Sequence, residues 1–113
     1  MPVTIYHNPR CSKSREALAL IEKKGIRPRV VEYLNEPPSA AELKRILGLL
    51  KMKPAQILRA KEAKEAGIDP DRLTEAQLLA KMAATPAVIE RPIVVAGSKA
   101  RVGRPPETIL DIL

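Results

Sequence analysis

Val3-Thr4-Ile5-Tyr6-His7-Asn8-Pro9-Arg10-Cys11-Ser12-Lys13-Ser14-Arg15-Glu16-Ala17-Leu18 decides the fold. Val3 to Tyr6 is rich in β-branched and aromatic residues and predicts a short strand, which Pro9 stops. From Ser12 to Lys24 the apolar residues Ala17, Leu18, Leu20 and Ile21 recur at helical spacing, and Gly25 is a natural stop. Cys11 therefore lies where a strand hands over to a helix. A thiol at that position meets unsatisfied helix-end amides and the positive end of the macrodipole, with Arg10, Lys13 and Arg15 near it in sequence. All of these favour the thiolate, the nucleophilic form, and the same features attract an oxyanion. A solitary cysteine is more often a small buried hydrophobe. Here the polar neighbours Arg10, Ser12, Lys13 and Ser14 suit an exposed turn better than a packed core.

Working outward, Arg29 to Leu34 predicts a second strand, joined to the first through the helix. This βαβ unit has parallel strands and a right-handed crossover. Glu36-Pro37-Pro38 breaks the pattern. Ser39-Ala40-Ala41-Glu42 then has the spacing of a capping box and opens a helix through Leu50. Pro54 opens a further short helix through Ile57 and Leu58. Thr74-Glu75-Ala76-Gln77 repeats the capping pattern before Leu78, Leu79 and Met82, so nothing strand-like is expected from Ser39 to Pro86. Ile93 to Ala96, a Gly97-Ser98 turn and Lys99 to Val102 predict a hairpin, and Glu107 to Leu113 a last short helix.

The order β-α-β, helices, β-β-α predicts an α/β fold with a thioredoxin-like, mixed four-stranded sheet. One domain over residues 1–113 is expected, with a helical insertion at about 39–86. In such an architecture a proline before the third strand packs beside the thiol, which singles out Pro92 in Arg91-Pro92-Ile93 as a bond able to be cis. The eleven prolines are about twice the average share. They fall at the proposed element boundaries and read as punctuation.

Composition narrows the function. No apolar run approaches the roughly 20 residues of a membrane span, and no secretory leader pattern opens the chain, so a cytoplasmic protein is expected. One cysteine forms no internal disulfide. With one histidine, His7, and one cysteine, no metal site is expected. The net charge of +7 suits an anionic partner or substrate. Nucleic acid is disfavoured, because the basic residues are scattered and only Tyr6 and Tyr33 are aromatic.

A dithiol motif requires a second cysteine at position 14, where this chain has Ser14. One thiolate rescued by an external thiol remains open. His7, four residues before Cys11, is placed to help keep the thiol ionised, or is simply hydrogen-bonded at a strand end. Ser14 either donates to the sulfur or caps the first helical turn.

Tyr6-His7-Asn8-Pro9-Arg10-Cys11-Ser12-Lys13-Ser14-Arg15, Leu58-Arg59, Glu90-Arg91-Pro92-Ile93-Val94-Val95 and Arg101-Val102-Gly103-Arg104-Pro105-Pro106-Glu107 resemble the glutaredoxin-linked bacterial arsenate reductase family over nearly the whole chain. The resemblance implies that Cys11 is the nucleophile and that Arg59, Arg91 and Arg104 bind the arsenic oxyanion. It also implies that His7 and Ser14 support the thiolate. Guanidinium groups suit that role because they stay charged and donate in a planar fork. Arg15 and Arg101 are secondary candidates, otherwise surface charge. The implied reaction is arsenate reduction with glutathione as co-substrate, glutaredoxin as partner and no bound cofactor, in a monomer. Two alternatives stay open: a thiol-transfer or stress protein of the same family, and a non-enzymatic regulator that binds RNA polymerase.

Overall fold

A computed structural model describes residues 2–113. The elements run β1 (Val3–His7), α1 (Ser12–Lys23), β2 (Arg29–Glu32), α2 (Ala40–Leu50), α3 (Ala60–Glu65), α4 (Glu75–Ala84), β3 (Ile93–Ala96) and β4 (Lys99–Val102). Short 3-10 turns cover Pro54–Ile57, Pro70–Arg72, Pro86–Val88 and Pro106–Ile112. Each opens on a proline, whose fixed φ suits a first helical position and whose missing N–H is not needed there.

The sheet order is β2-β1-β3-β4. β1 pairs parallel with β2, while the β1–β3 and β3–β4 pairs are antiparallel. This is the mixed sheet that the sequence order predicts. Residues up to Glu36 and Arg91–Leu113 form one compact unit, and Pro37–Glu90 form another.

In the sheet unit, register places Val3 opposite Ala96 and Ile5 opposite Val94. Side chains alternate along a strand, so these four share a face. Ala17 and Ile21, one turn apart on α1, cover that face together with Ile109 and Ile112. Ile5, Ile21, Val94 and Ile109 are fully buried, and each large aliphatic side chain contributes about 1.5–3 kcal/mol. Helix α1 ends in a Schellman motif: Ile26 N–H donates to the Ile21 carbonyl and Gly25 N–H to the Glu22 carbonyl. Gly25 supplies the left-handed φ of 77° that this motif requires.

In the helical unit α2 packs on α4, with Leu43, Ile46, Leu78 and Met82 buried. The Ser39 hydroxyl accepts from Glu42 N–H, and Thr74 and Gln77 form a reciprocal capping box. Helix α2 closes with the same motif as α1, but Lys51 takes the left-handed position at φ 58°.

Three expectations need correction. The last helix is a 3-10 helix, consistent with its short length and with buried Ile109 and Ile112 three residues apart. The second strand stops at Glu32, because Asn35 and Glu36 N–H groups fold back onto its carbonyl. The helical stretch is interrupted by a Leu58–Ile89 bridge, flanked by Arg59 N–H to Val88 O and Glu90 N–H to Ile57 O, both 2.7 Å. Among the described residues no helix is long and apolar enough to cross a membrane.

Candidate active site

Cys11 is the N-cap of α1, in extended conformation and partly buried. The turn that delivers it is built on Asn8, whose carbonyl accepts from Cys11 N–H and whose side-chain oxygen accepts from Arg10 N–H, each at 3.0 Å. Asn8 was missed as a site residue. The Asn-Pro pair carries its signal, since asparagine side chains stabilise turns by bonding backbone two residues on.

Burial alone pushes the Cys11 thiol up. The backbone N–H groups of Ser14 and Lys13 and the guanidinium of Arg91 favour the charged sulfur and outweigh it. The thiol is held below its ordinary value. The local cations expected to do this work are differently engaged. Lys13 pairs with Glu16 at 3.8 Å, Arg15 donates to the Pro9 carbonyl at 2.9 Å, and Arg10 is exposed. Charge from the far end of the chain replaces theirs.

Two of the three candidate arginines meet at the sulfur. Arg91 donates to it, and Arg104 Nη1 lies 3.9 Å from Sγ and 3.2 Å from the Arg91 carbonyl oxygen. Pro92 follows directly after a cis Arg91–Pro92 bond, and a second cis bond, Arg104–Pro105, was not foreseen. Gly103 joins the two segments: its N–H donates to the Pro92 carbonyl at 2.8 Å, and a Cβ there would stand 2.8 Å from Pro92 Cγ. Arg101 is turned to Asp111 at 3.1 Å.

Ser14 is fully buried, and its hydroxyl oxygen accepts from Asn8 N–H at 3.0 Å. Its hydroxyl proton is then available for His7 Nδ1, 2.6 Å away. With the hydroxyl donating, Nδ1 is the acceptor and the neutral ring carries its proton on Nε2. Burial lowers the His7 pKa, with Arg15 adding to it and Glu32 opposing. Ser14 thus meets the thiol through its backbone, and His7 acts on the Ser14 hydroxyl as an uncharged acceptor.

Arg59 belongs to the helical unit. Its Nε donates to Glu62 and its Nη1 to Glu90, both at 2.8 Å. Burial alone would lower its pKa, but the two carboxylates outweigh this and raise it. No cluster of three metal-binding side chains occurs among the described residues.

The ArsC family profile matches residues 6–112. An arsenate reductase of Haemophilus influenzae is 48% identical over 118 positions, covering 100% of both chains. The Escherichia coli protein YfgD, of uncharacterised function, is 49% identical over 114 positions, 98% of this chain and 96% of its own. Among solved structures, an arsenate reductase from Vibrio cholerae superposes with a TM-score of 0.95 at 49% identity, covering 100% of this chain and 98% of that one. This chain belongs to the ArsC family.

Proposed function

We propose that the protein is an oxidoreductase that reduces arsenate to arsenite with glutathione and glutaredoxin, acting as a monomer. The observation that carries this reading is Cys11 Sγ at the N-cap of α1 with its pKa lowered beside Arg91 and with Arg104 Nη1 at 3.9 Å. The full-length relatives named arsenate reductases support the substrate.

Arsenate arrives as an anion. The Cys11 thiolate attacks arsenic, forming an S–As bond while one arsenic oxygen leaves, protonated, as water. A guanidinium's planar fork spans neighbouring acceptors, so an arginine touching the sulfur also suits an oxygen of arsenic bound to it. Donors already in place cost no reorganisation as charge develops. Glutathione thiolate then attacks Cys11 sulfur. The S–As bonding pair passes to arsenic, which leaves as arsenite, and a Cys11–glutathione disulfide remains. Glutaredoxin thiolate takes the glutathionyl group and frees Cys11. The electron pair comes from thiols throughout, so the scheme uses no bound cofactor.

The test follows arsenate-dependent oxidation of glutathione in the presence of glutaredoxin. Turnover is expected from the native chain and none from Cys11→Ser. Activity in that variant, or full turnover with thioredoxin replacing glutathione and glutaredoxin, overturns the scheme. Faster reduction of glutathione mixed disulfides than of arsenate would instead support a thiol-transfer protein.

A further inference from the structure

The helical unit carries a groove of about 540 Å³ between α2, α4 and the Pro54 turn. Leu47, Met52 and Leu79 line it, and Leu47 and Leu79 are recessed at 5% and 8% exposure. Lys44, Lys51 and Lys53 stand around it, exposed, and none is in an ion pair among the described residues. Glu75, the one carboxylate at the rim, sits in the first turn of α4, where a negative charge is already favourable.

Two lining residues are poor choices for the helix and good ones for an occupant. Gly48 is inside α2, where alanine is the better helix former, and a Cβ there would meet nothing within 4 Å. Packing therefore does not require the glycine, and the space beside it stays open to an occupant of the groove. Three residues on, Lys51 holds a left-handed backbone where glycine is the unstrained choice. Local strain kept at one surface site points to function there.

We infer that this groove docks an acidic segment of a partner protein, which inserts an apolar side chain over Leu47, Met52 and Leu79 while its carboxylates meet the three lysines. Charge selects that occupant. A second copy of this chain brings the same net +7. A bilayer surface is flat and does not reach a recessed floor, whereas a single inserted side chain does.

The test titrates isotope-labelled full-length protein with the amidated peptide EDLLEDL and follows amide shifts. Saturable shifts are expected within residues 44–54 and 75–79, weakening as salt rises from about 50 to 300 mM. Lys44→Glu is expected to weaken binding about three- to fivefold, the scale of one exposed ion pair. Lys51→Gly and Gly48→Met separate docking from folding: each should unfold no earlier than the native chain yet bind more weakly. Four results overturn the inference: no saturation by about 1 mM peptide, equal binding by the glutamine version of the peptide, the same shifts from phosphatidylserine vesicles alone, or shifts that track self-association on concentration. Arsenate turnover is expected to be unchanged in these variants, so a failure of this inference is distinguishable from a failure of the proposed reaction.

Discussion

Arg91 and Arg104 on one side, and Arg59 on the other, are the same residue type in opposite electrostatic states. The first two spend donors on Cys11 sulfur, where their charge lowers the thiol pKa or stands within 4 Å of it. Arg59 is clamped by Glu62 and Glu90 and has a side chain only 22% exposed. An oxyanion that uses Arg59 competes with two carboxylates already at 2.8 Å. An arginine's place in a motif therefore does not set its working charge; its neighbours do.

The largest effect should come from Arg91→Ala, which removes a donor from the reacting sulfur. Arsenate kcat/KM is expected to fall by about 10²–10³, the usual loss for one preorganised donor at developing charge. The pH profile of Cys11 alkylation should also move up. Arg59→Ala should act elsewhere: stability in urea drops by about 1–3 kcal/mol as two half-buried carboxylates lose their cation, while the alkylation profile stays put. If Arg59→Ala moves that profile as far as Arg91→Ala does, the contrast is wrong.

Gly103→Ala should cost about 1–3 kcal/mol by overpacking, seen as a lower Tm, and should displace Arg104, seen as a raised arsenate KM. The smallest effect is that of His7. Its folded pKa lies below the unfolded value of 6.5, so the unfolded chain binds the proton first. His7 therefore contributes stability that is present above about pH 6.5 and is lost as pH falls towards the folded value. Comparing urea midpoints of the native chain and His7→Gln between about pH 7.5 and 5 isolates this slope. A native advantage over His7→Gln that does not shrink on acidification removes His7 as a neutral acceptor.

Much of the sheet unit was legible in sequence because its signals are local. The Val3 to Tyr6 run, the helical spacing of Ala17 and Ile21, and Gly25 each declare an element without help from distant residues. The helix-cap patterns at Ser39 and Thr74 were readable for the same reason. The partner that holds Arg59 from 31 positions away, Glu90, was not, although Glu62 at the helical i+3 spacing was within reach. Nor was the direction of the Ser14 hydroxyl, which burial against His7 decides. Sequence proximity also misassigned the cations at the thiol: Arg10, Lys13 and Arg15 are adjacent in the chain, but Arg91 delivers the charge.

The contact between Gly103 and Pro92 has an evolutionary consequence. One methyl group at 103 has no room while Pro92 stands where it does, and each residue is the immediate neighbour of an arginine at the sulfur. Positions 92 and 103 are therefore sterically coupled. A lineage that enlarges residue 103 has to make room at position 92 in the same step or strain the joint between the two arginine-bearing segments, so a change at 103 is expected to be accompanied by one at 92.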